Sequence, residues 1–487
     1  MKRIAIIFCS IFCATVIFAQ SMNVNIGEVT YVHKAANTGE MLFSNGTTLS
    51  IEGKTYTVSD INDIVIDNTT IDNNAVNITY NGPSAKVLVA GNIAKYLTIT
   101  ANGSNISIIQ DANLAEEITY SLSGSSSNGS FYMDGDYKTT LALNNLTLTN
   151  TNGAAIDIEN GKRIAVVLTG TNTLTDSSNG NQNACFYIDG HPEFTGTGSL
   201  IVTGNTKHGI TSGDYMLIES GTINVQSAVS DGLHVEQYFK MDGGNITIQA
   251  TGDGIDCGFK GVNKGTKDTY ENNGFIFINN GTLNITSTGD ASKGLKCDSS
   301  VVVTGGNVNI TTSGAAYYDT SEDDISSSSA LKCDGSFTMS GGSVALLSTG
   351  SGGKGLNATG HINVSGGTLS VVTTGNQYKY NSDSDTDSKP QGIKSDGDII
   401  LSGGNIYSAV KNSKATSFKT DFTFSVNGAT IMGIGGKKVF PSGLQSYKTY
   451  TSTVTGGQTV IYNGVSFTVP SNYSYSNAFI LVSSPNM

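Results

Sequence analysis

A lysine and an aspartate separated by one residue recur in three closely related segments, GLKCD, ALKCD and GIKSD. The pairs are Lys296 with Asp298, Lys332 with Asp334, and Lys394 with Asp396. If these segments are β-strands, both members of a pair lie on one outward face, because side chains alternate between faces. Such pairs either neutralise each other, at about 0 to 1 kcal/mol each, or contact the carboxylates and hydroxyls of a polymer. A fourth copy of the segment has Asn357 and Thr359 in place of the pair.

Acidic residues near glycines form a second candidate site. These residues are Asp231, Asp253, Asp256 and Asp290. An Asp-Gly pair is a common turn former, which explains the residues without any ligand. However, Ca²⁺ takes roughly six to eight oxygen ligands from carboxylates, carbonyls and water, and stacked turns supply such oxygens. We therefore expect at least one bound calcium ion. The five histidines show no spacing typical of metal ligands.

Three polar insertions, after Phe259, Gly314 and Gly375, carry tyrosines. The tyrosines that we predict to contact sugar rings are Tyr317, Tyr318, Tyr378 and Tyr380. A tyrosine ring has a flat apolar face and a polar edge, which suits stacking on a sugar, and the chain contains no Trp. The alternative is that the insertions are mobile, solvated loops, which we favour for their serine-rich parts. The last two insertions should project from one side of the protein.

A repeat must position these residues. The second glycine of a recurring Gly-Gly-like turn falls at Gly221, Gly244, Gly281, Gly306, Gly342, Gly367 and Gly404. The intervals are 23, 37, 25, 36, 25 and 37 residues. A unit of about 23 to 25 residues, with an insertion of about a dozen in every second unit, is typical of a stacked repeat protein.

Each unit contains three short alternating runs, such as Leu295 with Cys297, Val301 with Val303, and Val308 with Ile310. Period-two alternation predicts strands that bury one face. Three strands per turn close a triangular coil, and stacked coils pair in parallel about 4.8 Å apart. The predicted fold is therefore all-β, a right-handed parallel β-helix with about 23 to 25 residues per coil. The turn glycines supply corners with positive φ where a side chain would collide with neighbouring coils.

The repeat divides the chain into four predicted parts. Residues 1–20 resemble a signal peptide, residues 21–120 an N-terminal β module or cap, residues 121–421 the β-helix, and residues 422–487 a C-terminal β cap. Solenoids need capped ends because their terminal coils otherwise leave the core and the strand edges open.

The composition and net charge of the chain limit its possible location and partners. The Lys2/Arg3 start followed by the apolar run 4–18 predicts export by a signal peptide, and so a secreted or cell-surface protein. No later run approaches the roughly 20 apolar residues that span a bilayer, so we expect no membrane insertion. The formal charge of −12 becomes −14 without Lys2 and Arg3, which argues against nucleic acid. We expect a monomer.

Four cysteines remain after the predicted signal: Cys185, Cys257, Cys297 and Cys333. An exported protein usually pairs its cysteines in disulfides. Three of these four, however, share one inward position of the repeat. We therefore predict stacked, buried, free thiols that act as small hydrophobic residues.

The ordered series of segments resembles a known family. It comprises YMDGDYKTTLALNNLTLTNTNGAAIDIENGKRIAVVLTGTNTLTD, GTGSLIVTGNTKHGI, GGNITIQATGDGID and the GLKCD and GIKSDG segments. Over residues 75–430 the chain is similar to bacterial carbohydrate-binding-domain-containing proteins with a pectate-lyase-like parallel β-helix. The resemblance implies extracellular binding of polysaccharide, including acidic plant polysaccharide, with bound calcium and no demonstrated catalysis.

We therefore expect a secreted, calcium-binding protein that recognises acidic plant-type glycans along an exposed face. The first alternative is a calcium-dependent polysaccharide lyase, in which Lys296, Lys332 or Lys394 removes the proton beside a uronate carboxylate. Arg163 is the only arginine beyond the predicted signal and belongs to an early coil, which disfavours an arginine base. The second alternative is a cell-surface adhesin or structural stalk, which shares the fold and differs in ligand.

Overall fold

The structure is a computed structural model that describes residues 20–261, 270–383 and 386–487. The predicted signal peptide, apart from Gln20, lies outside the described residues, as do residues 262–269 and 384–385 within the insertions. The described chain is nearly all β, which confirms the predicted class. Its helical segments include one 3₁₀ turn, Val58–Asp60, and one short α-helix, Gly91–Ala94.

The lysine-bearing segments belong to a sheet of 13 strands. Its strands, in chain order, are Leu97–Asn102, Asn105–Gln110, Ser130–Asp134, Ile156–Glu159, Ala184–Ile188, His208–Ser212, Leu233–Glu236, Ile255–Gly258, Lys293–Cys297, Ser329–Cys333, Lys354–Ala358, Gln391–Ser395 and Phe418–Lys419. Chain order and spatial order coincide, and every pair beyond the first is parallel. We call this sheet the lysine sheet.

Two further columns of parallel strands belong to a sheet of 27 strands. The column that follows the lysine sheet in each unit contains Ala75–Asn81, Ile118–Ser126, Thr139–Thr149, Arg163–Thr169, His191–Gly196, Met216–Ile218, Tyr238–Met241, Phe275–Ile278, Val301–Val303, Phe337–Met339 and Phe424–Val426. The next contains Thr171–Thr175, Ser199–Gly204, Thr222–Ala228, Asn245–Ala250, Thr282–Ser287, Asn307–Thr312, Ser343–Ser348 and Thr430–Gly435. The long strands Thr139–Thr149, Ile362–Thr373 and Ile399–Val410 contribute to both columns.

Each strand of these columns pairs with the strand one repeat unit later in the sequence. Leu295 faces Leu331, Val301 faces Phe337, and Val308 faces Val344, all in parallel register. The three predicted alternating runs of the unit are therefore three strands, and their apolar residues are buried. We call one strand from each column, together with its turns, a layer.

Antiparallel strands occupy both ends of the chain. The N-terminal ones are Ser21–Ile26, Val29–Lys34, Asp63–Asp67 and Ser84–Ala90, with a small sheet of Leu42–Ser44, Thr48–Ile51 and Lys54–Thr57. The C-terminal ones are Tyr447–Val454 and Tyr475–Ser483, with the hairpin Thr459–Tyr462 and Val465–Thr468. Parallel pairing already occurs inside the predicted N-terminal module, where Val29–Lys34 pairs with Ser84–Ala90 and Ala75–Asn81 pairs with Ile118–Ser126.

The turn glycines have the backbone conformation that their spacing predicts. All seven glycines of the repeat have positive φ, between 76° and 92°. At Gly342, where φ is +76°, a Cβ atom would lie 2.6 Å from the carbonyl carbon of Gly305 in the preceding layer. Layers therefore approach each other at this corner too closely for any side chain.

The four cysteines are free and buried, as predicted. Cys257 faces Cys297, and Cys297 faces Cys333, in successive layers of the lysine sheet. Burial raises the pKa of the Cys257 thiol well above its usual value. The thiols therefore pack as neutral, inward-facing groups within the apolar core.

We expect Gly342→Ala to destabilise the protein by about 1–3 kcal/mol beyond a matched substitution, because the new methyl group overpacks the corner. The matched control is Gly464→Ala. Gly464 has a similar φ of +79° but no atom within 4 Å of the added methyl. Both variants share the strain of positive φ, so the difference in their free energies of unfolding measures the contact between layers. Equal losses would contradict the close approach.

Thiol titration tests the cysteine assignment. Denatured, unreduced protein that starts at Ser21 should contain four reactive thiols. The folded protein should react slowly, since buried thiols are protonated and inaccessible. Two or fewer thiols in the denatured sample would mean that a disulfide forms.

Candidate functional site

The outer face of the lysine sheet carries a column of polar residues held in register by strand pairing. From the N-terminal side these residues are Thr211, His234, Asp256, Lys296, Lys332, Asn357, Lys394 and Lys419. We call this the outer column. Neighbouring strands lie about 4.8 Å apart, so the column places one of these side chains about every 4.8 Å along the stack. The predicted lysine row is confirmed and extends one layer further, to Lys419.

A second column lies three residues earlier, where each strand begins. Its members are His208, Asp231, Asp253, Lys293, Ser329, Lys354 and Gln391. We call this the strand-start column. The sequence analysis missed Lys293 and Lys354, although the same repeat position carries aspartate in two earlier layers. Alignment of the units on the inward leucine, rather than on the glycine turn, reveals this pattern.

Two of the three predicted Lys-x-Asp pairs form as expected. Lys332 contacts Asp334, and the Lys394 Nζ atom donates to Asp396 Oδ1 at 2.7 Å. The carboxylates of these pairs are 52% and 54% exposed. Lys419 and Asp421 form a further pair of the same kind. These groups are accessible to a polymer that approaches the face.

Lys296 differs from the other two lysines. Its Nζ atom donates to Asp256 Oδ1 at 2.9 Å, in the preceding layer, and lies 4.0 Å from Asp253 Oδ2. Asp298 instead accepts the backbone N–H of Phe259 at 3.1 Å. The expected Lys296 and Asp298 contact is thus replaced, because a carboxylate lies directly beside Lys296 in the column.

The lysine sheet changes charge along its length. Toward the N-terminal end, its outward residues include Asp134, Asp157, Glu159 and Tyr187. Burial raises the pKa of Asp157, and burial together with the neighbouring Asp157 and Asp189 raises that of Glu159. Beyond Asp256, in contrast, the outer column contains four lysines. An anionic ligand would therefore favour the C-terminal part of this face.

Two histidines and an aspartate meet where the acidic part ends. The Nδ1 atoms of His208 and His234 lie 3.1 Å and 3.5 Å from Asp231 Oδ2, and His234 Nδ1 also lies 3.5 Å from Asp256 Oδ2. The two imidazole rings stack with centroids 4.5 Å apart. We call His208, Asp231 and His234 the His–Asp cluster. The absence of metal-ligand spacing among the histidines was therefore misleading, since the two histidines come from different columns and different layers.

The pKa values of the neighbouring carboxylates Asp231 and Asp253 are shifted in opposite directions. Burial opposes ionisation of Asp231, but the adjacent His208 and His234 imidazoles hold its pKa below its usual range. The same contacts, from Asp231 and Asp256, raise the pKa of His234 to about 9. In contrast, desolvation raises the pKa of Asp253 to about 6.

The four predicted calcium ligands do not form a single group among the described residues. Asp231, Asp253 and Asp256 lie in adjacent layers, but the ligand-like group that brings its atoms within 4.8 Å of one another contains Asp231 and two histidines. Asp253 accepts the backbone N–H of Lys293 at 2.6 Å. Asp290 is exposed and accepts the backbone N–H of Ala315 at 2.8 Å.

The tyrosine-bearing insertions form two hairpins. Tyr317–Asp319 pairs with Asp324–Ser326, and Tyr378–Lys379 pairs with Asp387–Ser388. The rings of Tyr318 and Tyr380 pack with centroids 4.6 Å apart, so the two insertions project from one side, as predicted. Tyr317 and Tyr380 are the more exposed rings, at 50% and 51%.

The base of the first hairpin adjoins the strand-start column. Lys293 Nζ donates to Ser326 Oγ at 2.9 Å, and Lys354 Nζ donates to Ser327 Oγ. Burial, reinforced by Lys394 and Lys293, lowers the pKa of Lys354 to about 8. The tyrosine hairpins and the lysines therefore border one surface.

The model of a family described as carbohydrate-binding domain-containing protein matches residues 102–352, just over half of the 487-residue chain. The chain belongs to this family. The matched residues include the His–Asp cluster, Lys296 and Lys332. No curated protein matches the sequence.

Among solved structures, the chain is similar to a polysaccharide lyase-like protein from C. thermocellum. The two are 22% identical, with a TM-score of 0.42, and the alignment covers 54% of this chain and 96% of that one. Within the described residues of the present chain, no helix is long and apolar enough to cross a membrane.

We expect competitive acetylation, read by mass spectrometry against pH, to give Lys354 a midpoint near pH 8 because desolvation disfavours its ammonium form. Limited access slows the reaction but does not move the midpoint. The sign for stability follows from the same shift. Burial of the charged form destabilises the fold most below pH 8, and that cost disappears as pH rises toward the ordinary lysine pKa. A midpoint above pH 10 would contradict this environment.

Proposed function

We propose that the protein is a secreted binder of acidic plant-type polysaccharide and that the ligand lies along the lysine sheet. The observation that carries the proposal is the row of Lys296, Lys332, Lys394 and Lys419 in register on one outer face. Membership in a carbohydrate-binding-domain family supports polysaccharide as the class of ligand. The choice of an acidic glycan rests on the charge of this row.

The geometry of the row suits a polymer with repeated carboxylates. Each layer advances about 4.8 Å, and a lysine or its paired aspartate is accessible in most layers beyond Asp256. A uronate carboxylate can accept from an ammonium group, while Asp334 and Asp396 can accept hydrogen bonds from sugar hydroxyls. Each contact is weak at an exposed surface, so affinity would come from several layers together.

The hairpins supply a second kind of contact. Tyr317 and Tyr380 present exposed rings on the two hairpins, and a sugar ring can pack on such a face. Tyr318 is less available because it packs on Tyr380 and its hydroxyl contacts Asp323. Tyr378 is half-buried. We infer that the sugar contacts centre on Tyr317 and Tyr380.

We further infer that the three columns close into a right-handed parallel β-helix, with the antiparallel ends acting as caps. The parallel register over successive repeat units supports this fold. A straight, stacked architecture would keep the lysine row linear over its whole length. Export follows from the signal-like segment 1–20, and we propose that the protein acts as a monomer.

We also propose that the protein binds calcium, on evidence separate from the lysine row. Asp290 is exposed and uses one carboxylate oxygen for the Ala315 N–H, which leaves the other oxygen to a cation. Asp253 and Asp256 lie close to Lys296, so a cation there would replace an existing ion pair. We therefore favour Asp290 over the other predicted carboxylates as a calcium ligand.

A lyase is the second candidate because of Lys354. A lysine base must be neutral to remove a proton, and burial lowers the pKa of Lys354 to about 8. Its Nζ atom lies at the border between the lysine row and the tyrosine hairpins. Lys354 is therefore a better candidate base than Lys296, Lys332 or Lys394. Two of those three lysines contact exposed carboxylates.

Single Lys332→Ala and Lys394→Ala changes should each weaken binding to polygalacturonate about two- to fivefold, the range expected when an exposed charge contact is lost. The double variant should show roughly the product of the two effects, and added salt should weaken the wild type toward the variants. Affinity electrophoresis in polygalacturonate gels measures all four proteins.

The control variant is Lys240→Ala. Lys240 pairs with Asp242 at 2.8 Å in the same Lys-x-Asp arrangement, with similar exposure, but lies in the 27-stranded sheet. Its loss should leave retention unchanged. Equal effects at Lys240 would show that net charge alone matters. Unsaturated products formed by the wild type and abolished by Lys354→Ala, with retention intact, would identify a lyase instead.

A further inference from the structure

The His–Asp cluster has a composition unlike the rest of the charged face. His208 is 2% exposed and Asp231 is buried, whereas His234 is 30% exposed. One ligand-type atom from each of the three residues lies within 4.8 Å of the other two. His208 and Asp231 belong to the strand-start column and His234 to the outer column, so the fold itself brings these residues together.

The Nδ1 atoms of both histidines face the carboxylate of Asp231. The backbone N–H of Asp231 donates to His208 Nδ1 at 3.3 Å, so this nitrogen presents a lone pair rather than a proton. The same lone-pair atom lies only 3.1 Å from Asp231 Oδ2, an arrangement in which two acceptors face each other. His234 Nδ1 is buried and has no hydrogen-bond partner in the described structure. A cation between these acceptors would offset the repulsion between His208 Nδ1 and Asp231 Oδ2, and it would give His234 Nδ1 a partner.

The spacing fits a small transition-metal ion. Ligands about 2.0–2.1 Å from a tetrahedral Zn²⁺ lie about 3.4 Å from each other. The two distances from Asp231 Oδ2 to the imidazole nitrogens are 3.1 Å and 3.5 Å. The rings are nearly parallel, with 18° between their planes, so His234, the more exposed ring, would turn toward the ion on binding.

The ligand types also discriminate between cations. Imidazole suits zinc, cobalt and nickel, whereas calcium takes oxygen ligands almost exclusively. Three protein ligands leave at least one coordination position for water or for an oxygen of a bound molecule. Asp256 lies 3.5 Å from His234 Nδ1 through Oδ2, and its other oxygen is held by Lys296.

We propose that His208, Asp231 and His234 form a binding site for a divalent transition-metal cation of the zinc type. The site removes Asp231 from the calcium ligands expected from the sequence. It lies in the outer face of the lysine sheet, beside Lys296, and does not depend on whether that face binds a glycan.

The experiment uses the full-length exported protein, treated with chelator and titrated with Zn²⁺ and Co²⁺ by calorimetry. We expect one high-affinity equivalent of Zn²⁺ and a visible absorption band with Co²⁺ that reports imidazole ligation. His234→Asn should lower the affinity at least tenfold. His208→Ala should do the same, and because His208 is buried, its folding is checked by thermal unfolding without metal. If that variant does not fold, His234→Asn decides.

The chain offers two matched controls. His191 lies 3.3 Å from Asp214, and His361 lies 3.4 Å from Asp398, each an imidazole beside one carboxylate without a second histidine. Changing either to Ala should leave the metal affinity unchanged. The proposal is overturned by three results: no stoichiometric Zn²⁺ or Co²⁺ binding, equal binding by His234→Asn, or displacement of Zn²⁺ by an equal concentration of Ca²⁺.

Discussion

Backbone hydrogen bonding between layers determines where each repeated side chain lies. Because strands pair in parallel register, residues at one repeat position stack directly on one another, and each side chain has a neighbour about 4.8 Å away on either side. A charged residue must therefore find a suitable partner within its own column or beside it. Lys296 and Lys332 are adjacent like charges. They contact different carboxylates, Asp256 on one side and Asp334 on the other.

The same constraint explains the buried side of the lysine sheet. Inward positions stack leucine on leucine and cysteine on cysteine, and neutral groups of similar size pack in this way without electrostatic cost. Where the cysteine column continues it changes to Ala358 and then Ser395. The Ser395 hydroxyl is buried but donates to the Gly360 carbonyl at 2.7 Å. Polar residues thus enter the column only where a backbone group accepts their hydrogen bond.

The all-β class, the repeated parallel strands and the lysine row could be predicted from sequence because they follow one periodic signal. The glycine at a corner and the Lys-x-Asp pair recur at fixed positions, so alternation alone assigns their faces. The His–Asp cluster has no such signal, since His208 and His234 occupy different repeat positions and meet only across two columns. No sequence signal indicated that Lys296 would contact Asp256 rather than Asp298. This contact depends on Asp256, which takes the place of lysine one layer earlier.

The glycine corners carry a consequence for how such a protein can change. A point substitution at Gly342 meets the backbone of the preceding layer, so small variation at these corners is strongly restricted. A whole additional unit, in contrast, would bring its own corner and its own hydrogen-bonding edges and would disturb no existing register. It would lengthen the outer face by one step of about 4.8 Å. Internal duplication of a unit would therefore lengthen the contact surface with the least disturbance to the existing layers.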